Sequence, residues 1–177
     1  PSQMLVYDYL IQGQSSEEII ISLHNCHPYQ ANDDISGCAL AIIAGLELAK
    51  CSQLRYSYRI IIAPELYGPM FWLDANPELV STIKGAILLK SIGNSSSLKC
   101  QESFFRSSSI CQSAISAFLD LEKNNLDQSF YPYRSYYGND ETVFEAPGFE
   151  IPSITFTRFP FLQYHTHEDT PSHISKE

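Results

Sequence analysis

Residues 18–50 decide the fold of this chain, and they read EIIISLHNCHPYQANDDISGCALAIIAGLELAK. The β-branched run at 19–21 predicts a buried strand, and the segment 38–50, which is apolar nearly all round, predicts a helix largely covered by other elements. The polar loop between them contains His24, His27, Asp33 and Asp34. Imidazole and carboxylate groups at the carboxyl end of a buried strand are suited to a divalent metal such as zinc. Helix capping by Asp34 or Ser36 is the alternative interpretation.

Segments that predict strands alternate along the chain with segments that predict helices. The predicted strands span residues 6–11, 18–23, 58–63, 85–92, 98–105 and 151–157. The predicted helices span residues 38–50, 71–73 and 109–122, with a short one around 143–144. The side chains expected to face inward from the third helix are Ile110, Ala114, Ile115, Phe118 and Leu119. Since such alternation places helices on both faces of a mostly parallel sheet, the predicted fold class is α/β.

The length and charge of the chain limit its class. We expect residues 1–177 to form a single domain with a substantial core. The formal charge of -9, without a basic stripe, argues against a nucleic-acid partner. No apolar run approaches the length of a membrane span, so no membrane association is expected. Because the chain opens at Pro1 and residues 176–177 look like the start of a helix, we expect a fragment of a longer protein.

The cysteines favour a reducing compartment. Their number is odd, and no CxxC pair occurs among Cys26, Cys38, Cys51, Cys100 and Cys111. A disulfide framework is therefore not expected, whereas a cytoplasmic location is expected. Cys26 stands beside His27, but the role of a small buried apolar residue is favoured over that of a ligand.

Metal-type residues follow three of the predicted strands. In parallel α/β sheets, ligands bind outside the carboxyl ends of the strands. The residues at these ends are His24, His27, Asp33 and Asp34 after the strand 18–23, Glu65 after 58–63, and His165, His167 and Asp169 after 151–157. Together they predict one metal site. A buried structural role is favoured for His24, exposed positions are expected for His167 and His173, and helix capping is the alternative for Glu65.

Several short motifs occur in a defined order along the chain. They are His27 with Asn32-Asp33-Asp34-Ile35-Ser36-Gly37; Pro64-Glu65-Leu66-Tyr67-Gly68; Gly138-Asn139-Asp140-Glu141 with Phe144, Pro147-Gly148-Phe149 and Ile151-Pro152; and Tyr164-His165-Thr166 with Asp169-Thr170. In this order they resemble the zinc aminopeptidases that carry two co-catalytic metals, and most closely a branch of bacterial aminopeptidase-like proteins. The resemblance covers residues 18–174 and implies a three-layer α/β/α sandwich.

The resemblance also implies roles for individual residues. His27, Asp33 and His165 would hold one or two zinc ions or another divalent metal, and Glu65 would be the general base that takes a proton from the attacking water. Asp34 would help to fix the loop, and Asp34 and Asp169 would accept the second N–H groups of the histidines. The implied activity is metal-dependent hydrolysis of a peptide or amide bond, aminopeptidase-like, with a peptide or amide small molecule as substrate.

Two positions depart from the family pattern. Two-metal members usually have a second glutamate directly after the base, where this chain has Leu66. They also have an aspartate ligand at the end of the next strand, where this chain has Lys90 and Ser91, neither of which is a credible zinc ligand. The interpretations that remain are a mononuclear site with Glu65 as a ligand, a replacement ligand from Asp140 or Glu141, and a degenerate site.

Other residues are candidates for substrate contact, and other functions compete with the peptidase. Arg134 and Arg158 lie in or beside predicted loops, where either could clamp a substrate carboxylate, and Tyr164 precedes His165. One alternative is an amide- or acyl-transferring relative such as a glutaminyl cyclase-like enzyme. Another is a non-catalytic domain of the same fold that binds a ligand or partner. The sequence contains no Gly-rich phosphate loop and no nucleophile elbow, which argues against nucleotide-dependent and serine-hydrolase chemistry.

Overall fold

The structure, a computed structural model, describes residues 3–122 and 129–175. Its centre is a seven-stranded sheet in the order β1-β3-β2-β4-β7-β5-β6. The strands are β1 (Tyr7–Ile11), β2 (Glu18–His24), β3 (Ser57–Ala63), β4 (Ile83–Lys90), β5 (Leu98–Gln101), β6 (Ser129–Tyr131) and β7 (Ser153–Arg158). Neighbouring strands run parallel, except that β1 is antiparallel to β3 and β5 is antiparallel to β7. The mixed, mostly parallel sheet confirms the predicted fold class.

Helices cover both faces of the sheet. They are α1 (Gly37–Leu48), α2 (Tyr67–Ala75), α3 (Ser109–Glu122) and α4 (Glu141–Phe144), with single 3-10 segments at Pro77–Thr82 and Pro171–His173. Ile20 of β2 packs into the core under α2 and α4, whereas Ile19 and Ile21 pack into the cores under α3 and α1. Since successive side chains of a strand point to opposite faces, the apolar run at 19–21 contributes to the hydrophobic cores on both faces of the sheet. The three-layer α/β/α sandwich is confirmed.

The position of β2 explains why the site forms where it does. This strand is buried at every residue and lies between β3 and β4, parallel to both. The next strand beyond β4 is β7, which is parallel to β4. The carboxyl ends of β2, β3 and β7 therefore lie at one edge of the sheet, and the residues that follow them can meet there.

Some elements differ from their predictions. β5 ends at Gln101 instead of residue 105, β6 was not predicted, and the predicted helix start at 176–177 lies outside the described residues. The expectation of a largely covered α1 is wrong, because α1 packs on the sheet through small residues such as Ala41 and Gly45 while larger ones face solvent. The exposed apolar side chains of α1 are Leu40, Ile42, Ile43 and Leu46. Leu119 of α3 is likewise exposed, because it lies off the face that packs on the sheet.

The cysteines are free thiols, as the sequence predicted. Cys38, Cys100 and Cys111 are buried, and Cys26 and Cys51 are exposed. The exposure of Cys26 corrects the expectation of a buried apolar role, because the residue lies in the loop beyond β2 instead of under a helix. Within residues 3–122 and 129–175, no helix combines the length and apolar composition that a bilayer crossing requires.

Candidate metal centre

Three ligand-type side chains from two loops meet at one position. The Oδ2 atom of Asp33 lies 3.3 Å from Nε2 of His165 and 3.9 Å from Nε2 of His27. The ligand atoms of the three residues all lie within 4.8 Å of one another. Ligand atoms bound to one tetrahedral zinc ion at about 2.1 Å are about 3.4 Å apart. The spacing therefore fits a single divalent cation between the three side chains.

Two of these atoms have no other partner. Within the described parts of the chain, the buried Nε2 of His27 and the buried Oδ2 of Asp33 make no hydrogen bond. An unsatisfied buried polar atom costs about 1–3 kcal/mol, so two that face each other indicate a place for a cation. The side chain of His165 is 55% exposed, which leaves one side of the position open to solvent. Three ligands and an open side are typical of a catalytic zinc site, and the ligand role of these residues stays a prediction.

His24 holds the Asp33 carboxylate in place. Its buried Nε2 donates a hydrogen bond to Oδ1 of Asp33 at 3.1 Å. Burial would lower the pKa of His24, but hydrogen bonds with Asp33 and Cys26 raise it to about 9. Burial would raise the pKa of Asp33, but the hydrogen bond from His24 and the nearby charge of Lys90 lower it. His24 is thus buried, as favoured from the sequence, and it stabilises the ionised form of Asp33.

Asp169 fixes the backbone of the loop that carries Asp33. Its Oδ1 atom accepts the N–H of Asn32 at 2.7 Å, and its Oδ2 atom accepts the N–H of Asp33 at 2.9 Å. The sequence suggested that this carboxylate would accept a histidine N–H. The structure shows that it binds backbone groups instead, because Asp169 lies beside the irregular turn Ala31–Ser36.

Asp34 is outside the group of three ligand atoms and joins the loop to the end of β4. Its Oδ1 atom accepts the N–H of Ser91 at 3.2 Å, and its Oδ2 atom has no hydrogen-bond partner among the described residues. Burial raises the pKa of Asp34 to about 7. A Cβ atom at Gly37 would collide with this carboxylate, so the glycine at the start of α1 is required by the close approach.

His165 is held in an uncommon backbone conformation. Its φ angle is +56°, in the left-handed region that non-glycine residues rarely adopt. The ring of Tyr164 stacks on the His165 ring at a centroid distance of 3.8 Å and an interplanar angle of 16°. Strain of this kind persists where surrounding packing enforces it, and it concentrates at functional sites. Tyr164, a predicted substrate contact, therefore orients a candidate ligand.

Glu65 lies in the same pocket as two of the candidate ligands. A pocket of about 470 Å³ is lined by Glu65, His27 and His165, together with Cys26, Pro28, Tyr29, Thr166 and His167. The Oε1 atom of Glu65 accepts a hydrogen bond from Nδ2 of Asn139. Its Oε2 atom lies 3.8 Å from Nζ of Lys90. One carboxylate oxygen of Glu65 is thus hydrogen-bonded to Asn139, the other lies near the ammonium of Lys90, and the residue lines the pocket.

Asp140 and Glu141 accept backbone N–H groups from residues that flank or contact Glu65, and a role as replacement ligand stays a prediction for either. Asp140 accepts the N–H of Leu66 at 2.7 Å through Oδ1 and the hydroxyl of Ser22 at 3.3 Å through Oδ2. The bond to Leu66 stabilises a backbone φ of +63° directly after Glu65. Glu141 accepts the N–H of Asn139 at 2.9 Å. In the part of the chain that the structure describes, neither carboxylate belongs to a cluster of ligand atoms.

The two arginines lie away from the pocket. Arg158 donates from Nη1 to the carbonyl of Ser96 at 2.8 Å and lines a different cavity beside Asn94. Arg134 is exposed, with a φ of +51°, in the segment before Gly138. Neither lines the pocket that holds Glu65. A role in binding a substrate carboxylate stays a prediction for both. His167 and His173 are exposed, as expected.

Three residues contact the site in ways that the sequence did not predict. Asn139 binds Glu65, Lys90 lies beside it, and Cys26 contacts two histidines. The Sγ atom of Cys26 lies 3.3 Å from Nδ1 of His24 and 3.6 Å from Nδ1 of His27. Burial would raise the pKa of Cys26, but these hydrogen bonds lower it to about 6. The sequence signal that could have found these residues is their position, because each one stands in or beside a motif or at the end of a strand.

The sequence model of the family described as "Domain of unknown function (DUF4910)" matches residues 1–177. This chain belongs to the DUF4910 family. It is 28% identical over 172 residues to a Clostridium acetobutylicum protein provisionally named a polysaccharide biosynthesis protein with an aminopeptidase-like domain. That alignment covers 96% of this DUF4910 chain but only 38% of its relative.

Solved structures show the same fold. A structure from Clostridium acetobutylicum, provisionally described as a peptidase, superimposes with a TM-score of 0.87 and 27% identity over 96% of this chain and 40% of its own. The aminopeptidase from Aneurinibacillus sp. strain AM-1 gives a TM-score of 0.76 at 19% identity, over 96% of this chain and 42% of its own. The glutaminyl cyclase of Porphyromonas gingivalis gives a TM-score of 0.76 at 14% identity, over 97% of this chain and 70% of its own. The DUF4910 chain therefore has the fold of the zinc aminopeptidase-like superfamily, as its motifs predicted.

Proposed function

We propose that this chain is a metal-dependent hydrolase of peptide or amide bonds that acts as an aminopeptidase does. The observation that carries the proposal is the convergence of Nε2 of His27, Oδ2 of Asp33 and Nε2 of His165, two of whose residues, His27 and His165, line a pocket together with Glu65. The first two atoms are buried and lack hydrogen-bond partners within the described residues. The aminopeptidase-like names of relatives with this fold support the proposal.

The residues present fit a catalytic metal. Zn²⁺ or another divalent ion held by His27, Asp33 and His165 would acidify a water molecule and polarise the carbonyl of a scissile bond. Asp33 supplies the negative charge, which His24 stabilises through Oδ1. The exposed His165 leaves the side toward the pocket free for a substrate.

Glu65 is the proton carrier in this proposal. It accepts a proton from the attacking water and returns it to the amine that leaves, as a general base and then a general acid. Its carboxylate faces the pocket while Asn139 and Lys90 hold it from the other side. Because the side chain is oriented before substrate arrives, the proton transfer requires no rotation of the carboxylate.

Several narrower expectations belong to the same proposal. We infer a peptide or amide small molecule as the substrate and zinc as the metal. A reducing compartment such as the cytoplasm is supported by the free thiols of all five cysteines.

The proposal is tested with a panel of aminoacyl amides and with metal analysis by mass spectrometry. The wild-type protein is expected to bind the metal and to hydrolyse at least one amide. Glu65→Gln is expected to keep the metal and to lose about 100-fold or more of the rate, the usual contribution of a general base. Glu168→Gln, an exposed neighbour of the pocket, is the matched control and should keep the rate. Equal inertness of wild type and Glu65→Gln on every substrate would refute the peptidase.

Glutaminyl cyclisation is the second candidate, because a glutaminyl cyclase shares the fold over 70% of its own length. The same assay separates the two when peptides with N-terminal glutamine are included. Release of ammonia without a free amino acid indicates cyclisation, and release of an amino acid indicates hydrolysis. A wild-type protein that binds no zinc would indicate a non-catalytic domain.

A further inference from the structure

Lys90 is a deeply buried cation at the edge of the candidate metal centre. It is the last residue of β4, and its accessible surface is 1% of the maximum. Its Nζ atom lies 3.8 Å from Oε2 of Glu65 and 5.9 Å from the centre of the Tyr137 ring. A buried ammonium is costly unless acidic groups or an aromatic face surround it. The surroundings of Lys90 provide both.

Four carboxylates interact electrostatically with this ammonium. Glu65 is the nearest, and the charge of Lys90 also acts on Asp33, Asp34 and Asp140. The His24 imidazolium faces the same group, since the charge of Lys90 opposes its protonation. Of these carboxylates, only Asp33 belongs to a group of ligand atoms that could hold a metal ion among the described residues, because the other such group consists of His24, Cys26 and His27. The ammonium of Lys90 and the His24 imidazolium thus both act as positive charges on Asp33, Asp34 and Asp140.

Lys90 is placed there by the frame of the sheet. β4 lies between β2 and β7, and Lys90 pairs with Thr157 of β7. On the other side, Ser22 of β2 pairs with Leu88, and the same register continued by two residues brings His24 beside Lys90. The strands that flank Lys90 are therefore the ones whose loops supply His27, Asp33 and His165.

The aromatic face over Lys90 is held by a separate set of hydrogen bonds. The Oε1 atom of Gln101 accepts the N–H groups of Tyr136 and Tyr137 at 3.1 and 2.9 Å. Its Nε2 atom donates to the carbonyl of Tyr137 at 2.7 Å. Gln101 is buried, so the ring of Tyr137 is fixed from the interior of the sheet.

We propose that the ammonium of Lys90 is a built-in second cation, which limits the centre to one metal ion and holds Glu65 toward the pocket. The inference rests on the proposed function in one respect, which is that His27, Asp33 and His165 hold the first ion. An ammonium carries three donors and no acceptor, so it cannot ligate a metal, and its charge repels a second one. Metal ions in two-metal sites lie about 3.5–4 Å apart. A second ion bound at the end of β4 would lie beside the ammonium of Lys90, and the repulsion between the two positive charges would oppose its binding.

The test counts bound metal ions in the wild-type protein and in three variants of Lys90. Each protein is dialysed to equilibrium against Zn²⁺ and analysed by mass spectrometry, with a parallel Mn²⁺ sample examined by electron paramagnetic resonance. Wild type and Lys90→Arg, the control that keeps the charge, are expected to bind one ion. Lys90→Asp is expected to bind two ions and to show the spin coupling of a metal pair. Lys90→Met, which removes the charge without adding a ligand, is expected to bind its second ion more weakly.

Circular dichroism establishes whether each variant is folded. If Lys90→Asp does not fold, the number of ions bound to Lys90→Met tests the inference. Two ions in the wild type overturn the inference, and so does a single ion in both Lys90→Asp and Lys90→Met. These outcomes leave the proposed hydrolase intact. A wild-type protein that binds no ion overturns the proposed function first and this inference with it.

Discussion

The Nε2 atom of His24 lies 3.1 Å from the Oδ1 atom of Asp33, and both side chains are buried. This hydrogen bond leaves the Oδ2 atom of Asp33 facing His165 and His27. The contact thus divides the carboxylate into one oxygen that the protein holds and one that is available to a cation. A partner of this kind sets the orientation and basicity of a ligand.

Replacement of His24 should weaken metal binding without removing a ligand. We expect His24→Gln to raise the zinc dissociation constant by about 10–100-fold, the usual effect of losing a hydrogen-bond partner of a ligand. Competition with a fluorescent chelator measures the constant. His173→Gln, at an exposed histidine, is the control and should leave it unchanged. Equal affinities for wild type and His24→Gln would show that Asp33 is oriented by something else.

Replacement of Asp169 should destabilise the loop. The carboxylate accepts the N–H groups of Asn32 and Asp33 in a buried setting, and hydrogen bonds to charged groups contribute about 1.5–3 kcal/mol each. We expect Asp169→Ala to lower the free energy of unfolding of the metal-free protein by about 3 kcal/mol, measured by urea denaturation. The neighbouring Glu168→Ala, at an exposed residue, should change it little. A similar free energy of unfolding for both variants would contradict the role of Asp169 in holding the loop.

Asp34 should make the stability of the metal-free protein depend on pH. Burial raises its pKa from the usual 3.8 to about 7, so the folded protein keeps a proton that the unfolded chain releases near pH 4. The free energy of unfolding therefore falls as pH rises between these values, by at most about 1.4 kcal/mol per pH unit. Above pH 7 the free energy of unfolding is lowered by the full cost of ionising the buried Asp34 carboxyl group.

The measurement compares wild type with Asp34→Asn in the presence of a chelator. The stability of the variant relative to wild type should increase from pH 4 to pH 7 and then level off, because asparagine does not ionise. Asp74→Asn, at an exposed position of α2, is a matched control. A difference between wild type and Asp34→Asn that stays constant over this range would contradict the assignment.

Cys26 should react as a thiolate at neutral pH. Its pKa is lowered to about 6, mainly through hydrogen bonds with His24 and His27 that outweigh the effect of burial. The rate of alkylation by iodoacetamide should rise with a midpoint near pH 6 in the metal-free protein and level off about one to two pH units higher, as followed by peptide mass spectrometry. In His24→Gln the midpoint should move upward toward that of an ordinary thiol. A midpoint near pH 8.5 in the wild type, the usual thiol value, would refute this prediction.

The sequence was most informative where chemistry follows a strand. His27, Asp33 and His165 follow predicted strands and are the ligands that the family resemblance implies, and the parallel sheet brings their ligand atoms within 4.8 Å of one another. The sequence was least informative where a side chain acts through a neighbour that is distant along the chain. Asn139 and Lys90 reach Glu65 from elements that the sequence alone does not bring together.

Predictions of burial from local composition were wrong at two places. The apolar residues of α1 predicted a covered helix, yet Leu46 and Ile43 are about 60% exposed (61% and 58%) because only one face meets the sheet. Cys26 was expected to be buried and lies in the pocket instead. Hydrophobicity describes the preference of one residue, whereas burial depends on whether another element covers it.

The sequence by itself determined the α/β class, the order of the site motifs and the absence of carboxylates at positions 66 and 90. These follow from periodicity and residue type, which are local properties. Only the tertiary structure decided that Asp140 binds the backbone of Leu66, that Asp169 binds the loop, and that the ammonium of Lys90 lies beside Glu65. These contacts depend on the register and order of the strands, which bring residues far apart in the chain to one edge of the sheet.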